Sequence, residues 1–552
     1  MKPQSTLNAY IEQAIRTNWE RPALTNLGSV TYRYCDVARK IAKIHIAFRE
    51  LGLSEGDKIA FCGRNSAELA IAMLAGITYG TVTVPILHDF TPETIHHLVC
   101  HCDAKVLFTD SSTWEALNPE SMPALEGSVL ISDYSLLFSR SKKLERARKN
   151  LNKLFGEEFP ERFTPDDVKY VSPDPSKTAL INYTSGSTGF SKGVMLSYAN
   201  LWSNLQYCID GLDFLKPGDT MLSMLPLAHM FGLMVELIHT FAKGCHIYLL
   251  TRTPSPAVLL SAFAEVRPKL VVAVPLIIEK MVKTRVFPML DKPLMKILLH
   301  LPVVDHKLLG KVKEKLEGVF GGNMRQIIIG GAGLSKDVET FLRKIEFPYT
   351  VGYGMTECGP LICYAPWEVQ RPGSCGCCVD RMELRVESPD PSVTPGILWV
   401  RGDNVMQGYY KNDEATEAVF KDGWMNTGDI CQIDADGFVY IRGRDKNMIL
   451  GPSGQNIYPE EIEQKLNNMP YVSESLVIDR DNKLVALVHP DYENARAQNM
   501  SDQEIADIMR QDIAQLNKEI PSYSQISDLE IHVEEFEKTP KRSIKRYLYT
   551  KK

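Results

Sequence analysis

Short apolar runs alternate with amphipathic stretches along most of the chain. Between residues 58 and 110, the runs KIAFC, TVTVPI and AKVLFTD predict buried strands, and SAELAIAMLAGITYG predicts a helix that ends at Gly80. The same alternation returns from TALIN at residue 178 to KDVETFLRKI at residue 336. Because continuous apolar strands are usually buried on both faces, this series predicts largely parallel sheets covered by helices on both sides.

The pattern changes after Ser374. MELRVES, ILWVRG and FVYIRG are short alternating runs separated by Pro and Gly, which predicts a small antiparallel or barrel-like unit over about residues 375–444. From Tyr458 the order is helix, strand, strand, helix, strand, which is typical of a compact α+β unit. We therefore expect an α/β protein with an N-terminal domain over 1–444, which includes the β-rich subdomain, and a C-terminal α+β lid domain over 445–552.

Composition narrows the class of protein. The 552 residues include 62 Lys and Arg against 68 Asp and Glu, a formal charge of −6, so no strong basic field favours nucleic acid as a partner. The most apolar stretch, residues 222–250, is interrupted by His229, Glu236, His239 and Lys243, and the N-terminus has no signal-like apolar run. Twelve dispersed cysteines do not suggest a disulfide framework. We expect a cytoplasmic protein with free thiols and no transmembrane helix.

The segment YTSGSTGFSKG, residues 183–193, follows an apolar strand and precedes a predicted helix. Glycines let a backbone direct several N–H groups at one point, hydroxyls add donors and lysine adds positive charge, so the loop suits a polyphosphate. The order is not that of a Walker A loop, because Lys192 is followed by Gly193. A flexible connector of the same composition is the alternative.

This loop resembles the phosphate loop of the adenylate-forming superfamily, which includes acyl-CoA synthetases, peptide-synthetase adenylation domains and luciferases. Four further segments resemble later motifs of that family, in the same order: LPLAHMFG at 225–232, GYGMTE at 352–357, GWMNTGDI at 423–430 and IRGRDKNMILGPSGQNIYPEEIE at 441–463. The segments between them are most similar to the long-chain fatty acyl-CoA synthetase branch. The resemblance spans nearly the whole chain.

The resemblance implies a set of ATP contacts. Glu357 is the implied Mg²⁺ ligand, Thr356 the donor to the α-phosphate, and Tyr353 the ring that stacks on adenine. The phosphate loop would hold the β- and γ-phosphates. The implied nucleotide-binding residues are Thr184, Ser185, Gly186, Ser187, Thr188, Gly189, Lys192, Gly331, Ala332, Tyr353, Gly354, Met355, Thr356, Asp429 and Arg444.

Other positions carry implied roles at the ribose, the acid and the hinge. Asp429 resembles the acid that accepts both ribose hydroxyls, a task suited to a carboxylate with several lone pairs, and Arg444 would cooperate with it. His229 would lie beside the acyl carboxylate, with a core histidine as the alternative. Lys446 aligns with the hinge about which the family's small domain rotates.

The C-terminal tail departs from the family pattern. The family carries a catalytic lysine in P-K-T-x-[ST]-G-K-I-x-R, whereas KTPKRSIKR places Ser543 at that position. Lys541 or Lys545 would substitute by a small shift, and we favour Lys541 because residues two apart lie on the same side of an extended segment. The implied catalytic set is Thr184, His229, Thr356, Glu357 and Lys541.

Three other clusters have simpler interpretations. His97 and His101 are spaced i,i+4, and Cys375, Cys377 and Cys378 are close in sequence, but neither cluster has paired metal-ligand spacing, so we expect an ordinary helix and a loop. The basic stretch 140–153 predicts a solvated helix or loop. The alternative for that stretch is contact with an anionic membrane surface or an acyl carrier protein.

The sequence therefore predicts an ATP-dependent fatty acid–CoA ligase that uses ATP, Mg²⁺ and coenzyme A. An acyl-(acyl-carrier-protein) synthetase shares the first step and stays open as an alternative. A catalytically impaired nucleotide- or lipid-binding protein of the same fold is a second alternative, motivated by Ser543. Acyl chain length and oligomeric state are left open.

Overall fold

The computed structural model describes residues 4–184, 191–290, 302–451, 455–480, 483–498, 500–539 and 544–550. Helices in these ranges are Leu7–Thr17, Tyr34–Leu51, Ala67–Tyr79, Pro92–His101, Ser111–Glu115, Lys142–Glu158, Tyr198–Gly211, Thr240–Ala242, Pro256–Val266, Pro275–Met281, Phe287–Leu290, Pro302–Val319, Lys336–Lys344, Asp413–Glu417, Pro459–Leu466, Tyr492–Ala497 and Asp502–Glu519. Gly232–His239 and Val282–Val286 are π-helical segments.

An eight-stranded sheet carries the predicted phosphate loop. Its strand order is Gly408–Tyr409, Lys192–Ser197, Thr178–Thr184, Val82–Ile86, Lys58–Cys62, Val106–Thr109, Gly127–Leu130 and Leu136–Ser139. The strands from Thr178–Thr184 to Gly127–Leu130 pair in parallel, and the sheet becomes antiparallel at both edges.

A seven-stranded sheet forms the second layer. Its strand order is Tyr349–Val351, Gln326–Ile329, Leu270–Ala273, Thr220–Ser223, His246–Leu249, Pro22–Asn26 and Thr31–Arg33, all parallel except the last pair. Helix Ala67–Tyr79 is buried along almost its full length and contacts strands of both sheets. Because this helix is buried on all sides, its sequence lacks a polar face. The predicted α/β architecture is confirmed.

Antiparallel strands follow, as the sequence predicts. Met382–Glu387, Gly396–Gly402, Trp424–Ile433 and Phe420–Lys421 pair in that order, and Val439–Arg444 adds to Trp424–Ile433. A three-stranded sheet of Tyr353–Gly354, Leu361–Tyr364 and Cys377–Cys378 lies beside them in sequence. These short sheets bring the GYGMTE and NTGDI motifs close enough for the Tyr353 hydroxyl to contact Asp429.

The C-terminal residues form an α+β unit with its own core. Ile449–Leu450 pairs with Asn456–Ile457, and Val472–Arg480, Lys483–Pro490 and Ile526–Ile531 form a three-stranded sheet. Its apolar face packs against the helices Pro459–Leu466 and Asp502–Glu519 through a shared cluster: Ile462, Leu466, Val477, Ala486, Met509, Ile513 and Leu516. The predicted order of helices and strands is observed.

Two parts of the fold differ from or extend the sequence prediction. The run MFGLMVELIHTFAKG, residues 230–244, contains a helical stretch whose centre, Gly232–His239, adopts π-helical geometry. The basic stretch 140–153 lies mainly in helix Lys142–Glu158, which buries Leu144 and Ala147 and packs on helix Tyr34–Leu51. In the described ranges no helix has both the length and the apolar character needed to cross a bilayer.

Candidate active site

The two stems of the predicted phosphate loop are fixed by strand pairing. Strands Thr178–Thr184 and Lys192–Ser197 are antiparallel, with Thr184 opposite Lys192 and Tyr183 opposite Gly193. The Thr184 hydroxyl donates a long hydrogen bond of 3.5 Å to the Lys192 carbonyl. Ser185, Gly186, Ser187, Thr188 and Gly189 lie outside the described residues. The stems nevertheless hold Thr184 and Lys192 at the two ends of one loop.

Tyr183, in the first stem, packs against the second stem. A Cβ atom on Gly193 would lie 3.0 Å from the Tyr183 ring, so a glycine lets the ring pack closely against the second stem. The Tyr183 hydroxyl is 2.8 Å from Nδ1 of His101. His97 and His101 do share one helix face, with ring centroids 5.8 Å apart, but the contact of His101 is with the phosphate-loop stem.

The GYGMTE segment makes a tight turn. The Met355 N–H donates to the Pro360 carbonyl at 2.8 Å, and a Cβ atom on Gly354 would lie 2.1 Å from that same oxygen. Only glycine is compatible with this close approach. The following residues, Thr356–Cys358, form one turn of 3₁₀ helix that orients Glu357 inward. The requirement for Gly354 is therefore steric.

Glu357 is held by a residue that the sequence analysis did not identify. Glu357 is only 9% exposed, and the Tyr409 hydroxyl donates to its Oε1 at 3.0 Å. The Lys192 ammonium lies 4.7 Å from the centroid of the Tyr409 ring. Because strand Gly408–Tyr409 pairs with Lys192–Ser197, Tyr409 joins the phosphate-loop lysine to the Glu357 carboxylate. Nothing local in the sequence marks Tyr409, because the contact depends on the register of a distant strand.

A second cluster forms around Asp429. This side chain is 5% exposed, and Nε of Arg444 lies 2.7 Å from its Oδ1. The two residues are opposite each other in adjacent strands, and the Tyr353 hydroxyl donates to the other carboxylate oxygen. Burial raises the pKa of Asp429, while the Arg444 guanidinium opposes that rise. Burial, followed by the nearby Asp429 charge, raises the pKa of Tyr353 well above its ordinary value, so the hydroxyl keeps its proton.

The LPLAHMFG loop is anchored to the same region. The Asn182 side chain, one residue before Tyr183, donates to the Ala228 carbonyl at 2.8 Å, next to His229. The Asn65 side chain donates to the Leu225 carbonyl at 2.7 Å and accepts from the Leu227 N–H at 2.9 Å. His229 itself is half-buried. The loop therefore places His229 beside the strand that leads into the phosphate loop.

Glu236 supports the same loop from the core. It is fully buried in the π-helical segment and accepts hydrogen bonds from the Ser223 hydroxyl at 2.9 Å and the Leu225 N–H at 3.1 Å. Burial raises the pKa of Glu236 to about 8, although the donated hydrogen bonds oppose the shift. A neutral carboxyl group under the motif is therefore the main species near neutral pH.

Gly331 and Ala332 lie on an exposed turn after strand Gln326–Ile329. Gly331 has φ +92°, which favours glycine, and the preceding Gly330 allows the Phe231 ring to approach within 2.8 Å of where a Cβ atom would lie. The Gln464 side chain of the C-terminal unit donates to the Leu334 carbonyl at 3.0 Å. The turn thus lies between the LPLAHMFG loop and the C-terminal unit.

The hinge and tail positions lie beyond Arg444. Lys446 is exposed in a 3₁₀ turn, Asp445–Asn447, immediately after strand Val439–Arg444. Lys541 and Ser543 lie outside the described residues. Lys545 pairs with Glu537, with Nζ 3.2 Å from Oε2. Because Lys545 is already paired, it is less suited than Lys541 to replace the family's catalytic lysine.

Comparison with known proteins identifies the family of this chain. The family described as AMP-binding enzyme matches residues 11–410, and the family described as AMP-binding enzyme C-terminal domain matches residues 446–552. The chain belongs to the AMP-binding enzyme family. The resemblance to adenylate-forming enzymes is confirmed.

Several known proteins are similar to this chain over most of its length. A long-chain-fatty-acid–CoA ligase from Yersinia pestis is 28% identical over 87% of this chain and 84% of its own length. Long chain acyl-CoA synthetase 3 from Arabidopsis thaliana is 28% identical over 83% of this chain and 73% of its own. The crystal structure of ATP-bound MatB from Rhodopseudomonas palustris is similar in fold, with a TM-score of 0.77, 22% identity and coverage of 99% and 98% of the two chains.

Proposed function

We propose that the protein is an ATP-dependent acid–thiol ligase that activates a fatty acid as its acyl adenylate and transfers the acyl group to coenzyme A. One observation carries the proposal. Tyr409 links Lys192 to Glu357, while Tyr353, four residues before Glu357, contacts the buried Asp429. Lys192 suits a phosphate, Glu357 a divalent cation and Asp429 a ribose diol. The GYGMTE segment, which contains both Tyr353 and Glu357, brings these groups together.

The first step is attack of a carboxylate oxygen on the α-phosphate of ATP, with pyrophosphate leaving. Two anions must meet, so the site has to neutralise charge and align the attack. Lys192 and Thr184 are proposed to hold the β- and γ-phosphates, together with Ser185, Ser187 and Thr188. Thr356 is proposed to donate to the α-phosphate, and His229 to lie beside the carboxylate.

The Glu357 carboxylate is a ligand type that Mg²⁺ accepts. That ion usually binds one or two protein carboxylates together with phosphate oxygens. Among the described residues, no group of three or more His, Cys, Asp and Glu side chains is arranged to hold a metal. Glu357 is proposed to hold an ion shared with the nucleotide, which when bound would supply charge neutralisation at the phosphates.

Asp429 is proposed to accept hydrogen bonds from both ribose hydroxyls, and Tyr353 to lie against adenine. A carboxylate that already receives the Tyr353 hydroxyl and the Arg444 guanidinium is held in one orientation. Preorganisation of this kind lowers the entropy cost of binding. Gly331, Ala332, Gly354 and Met355 are proposed to complete the walls around the base.

The second step needs a different arrangement, because a thiol must reach the adenylate that the first step shielded from water. We place the division of the chain at 1–444 and 445–552, with Lys446 as the hinge and residues 375–444 as the β-rich part of the larger domain. Lys541 is proposed to act in the first step. Rotation about such a hinge lets one cleft serve both steps.

A fatty acid is the proposed substrate because the named relatives act on long acyl chains and the chain has no Asp marked as an anchor for an α-amino group. An aliphatic chain contributes roughly 25 cal/mol per Å² of buried apolar area and needs few polar contacts.

We propose a cytoplasmic location, because twelve dispersed cysteines in the sequence do not suggest a disulfide framework.

The acceptor is tested by incubating the purified protein with palmitate, ATP and either coenzyme A or an acyl carrier protein, and measuring thioester formation. We expect palmitoyl-CoA as the main product. Predominant acylation of the carrier would replace coenzyme A with a protein acceptor. Acid-dependent pyrophosphate release without either thioester would show that only the adenylating half of the proposal holds.

A further inference from the structure

A cavity of about 250 Å³ lies at the edge of the eight-stranded sheet that is farther from the phosphate loop. Helices Tyr34–Leu51 and Lys142–Glu158 cover it, and side chains from the strands Val106–Thr109, Gly127–Leu130 and Leu136–Ser139 form its floor. None of the site residues that the structure describes lines it. The cavity is therefore distinct from the candidate active site.

The interior of the cavity is apolar. Its walls include Phe48, Phe108, Val129 and Leu144, each less than 9% exposed. Its volume is somewhat below the roughly 300–1,000 Å³ typical of small-molecule sites, which suits one narrow aliphatic chain better than a nucleotide or a sugar.

The partly exposed part of the lining, here called the mouth, is cationic. Among the described residues it includes Lys40, Lys43 and Arg148, and Asp133 is the one carboxylate of the lining. Within the described part of the chain, none of the three cations lies within 4.0 Å of a carboxylate oxygen. Lys43 instead donates to the Asn152 side chain at 2.8 Å.

The remaining two cations have neutral partners. Nε of Arg148 donates to the Tyr134 carbonyl at 2.8 Å, and Nζ of Lys40 lies 4.8 Å from the Tyr32 ring centroid and 5.3 Å from that of Tyr134.

Electrostatics at this mouth favour an anion. Burial, and then the charges of Lys40 and Arg148, lower the pKa of Lys43. Because neighbouring cations disfavour the protonated form of Lys43, an added negative charge would stabilise that form. The Asp133 carboxylate accepts the Ser135 N–H at 2.8 Å, and that hydrogen bond occupies one of its oxygens.

We propose that this cavity binds a medium-chain fatty acid, with its alkyl chain among the apolar walls and its carboxylate at Lys40, Lys43 and Arg148. An apolar interior below a cationic rim matches an amphiphile with one anionic end. Helix Lys142–Glu158 supplies both Leu144 and Arg148, so the basic stretch of the sequence takes part in ligand binding rather than serving only as a solvated surface.

Equilibrium dialysis with radiolabelled decanoate tests the site. An unreactive decanoyl-sulfamoyl-adenosine first saturates the proposed adenylation site, so that bound decanoate reports the second site alone. The wild-type protein is expected to retain about one equivalent of decanoate under these conditions. Ala47 also lines the cavity, and Ala47→Phe, which fills it, is expected to abolish that binding.

Charge and folding are tested by matched variants. Lys43→Gln should weaken residual decanoate binding about tenfold, as expected for loss of one charge-assisted contact. Lys149→Gln, on the same helix but outside the lining, should leave it unchanged. Decanol, which has the chain without the charge, should bind at least about tenfold more weakly than decanoate. Melting temperatures establish that each variant is folded.

The outcomes separate this inference from the proposed function. Absence of residual binding in the wild-type protein, or residual binding that Ala47→Phe leaves intact in a folded protein, would overturn the second site. If the adenylate analogue displaces no decanoate while Ala47→Phe still removes one equivalent, the second site stands and the assigned adenylation site is at fault.

Discussion

The Tyr409 hydroxyl donates to the Glu357 carboxylate at 3.0 Å, and the Lys192 ammonium lies over the ring of the same tyrosine. One side chain thus touches both the implied metal ligand and the phosphate-loop lysine. Burial, and then the Glu357 charge, raises the pKa of Tyr409, so it remains a donor across the working pH range. Tyr409 is therefore well placed to orient Glu357.

Tyr409→Phe removes only this hydroxyl. We expect a three- to tenfold lower rate of acyl-adenylate formation, roughly the value of one hydrogen bond, together with a higher Mg²⁺ concentration for half-maximal activity. Pyrophosphate release measured over a Mg²⁺ titration checks both effects. Tyr410→Phe, at the next residue, is the control. An unchanged Mg²⁺ dependence in Tyr409→Phe would remove the orienting role.

Asp429→Asn tests the ribose contact. The substitution keeps the shape but loses the charge that pairs with Arg444 and the acceptor capacity for two hydroxyls. We expect kcat/KM for ATP to fall about 10- to 100-fold, in the range for hydrogen bonds to a charged group. The matched control is Asp422→Asn, in an exposed turn of the same β-rich region.

Deoxy nucleotides sharpen that experiment. The wild-type enzyme should discriminate against 2′-deoxy- and 3′-deoxy-ATP, and Asp429→Asn should lose most of that discrimination. Equal discrimination by both proteins would mean that another group reads the ribose.

Glu236→Gln tests the buried carboxyl group below the LPLAHMFG loop. Its pKa is raised from an ordinary 4.5 to about 8 by burial, so the folded protein keeps a proton that the unfolded chain releases. The stabilisation is complete below about pH 4.5 and is lost as pH rises toward 8, at up to about 1.4 kcal/mol per pH unit. The glutamine variant lacks this dependence.

Urea unfolding at pH 5.5, 6.5 and 7.5 measures the effect. The free energy of unfolding of Glu236→Gln, relative to wild type, should increase with pH across this range. Glu157→Gln, at an exposed helical site, should stay parallel to wild type. Parallel curves for Glu236→Gln would mean that Glu236 is ionised in the folded protein throughout.

The tail lysine is tested by Lys541→Ala. We expect acid-dependent pyrophosphate release to fall about 100-fold, as for loss of a preorganised charge in the transition state. Lys545→Ala should change it less than about threefold, because Lys545 is already paired with Glu537. Ser543→Lys, which restores the family pattern, should rescue Lys541→Ala. The reverse ranking of the two alanine variants would assign the role to Lys545.

Much of this architecture was predictable from local pattern. The βα series and the C-terminal order of elements follow from apolar periodicity. Some of the motif residues are in contact, as Asp429 is with Tyr353 and Arg444. Their catalytic roles remain a prediction. Tyr409 was missed because its contact with Glu357 arises from pairing between strands more than 200 residues apart in sequence, which single-sequence periodicity does not encode.

Other features depend on packing in three dimensions. The segment Gly232–His239 is π-helical, and its Glu236 accepts a hydrogen bond from Ser223. A hydrophobicity pattern does not distinguish π from α geometry. His97 and His101 lie on an ordinary helix, as expected, but their spacing does not encode the contact of His101 with Tyr183. The cavity beside helix Lys142–Glu158 arises from contact between two helices that are separated by about 100 residues in sequence.

Exchange of radiolabelled pyrophosphate into ATP, measured with fatty acids of increasing length, tests acyl-adenylate formation most directly. We expect no exchange without an acid and clear exchange with a fatty acid. Exchange should decrease about 100-fold or more in Glu357→Ala and stay unchanged in Glu417→Ala, at an exposed position. Failure of every fatty acid to support exchange in the wild-type protein, or undiminished exchange in Glu357→Ala, would contradict the proposal.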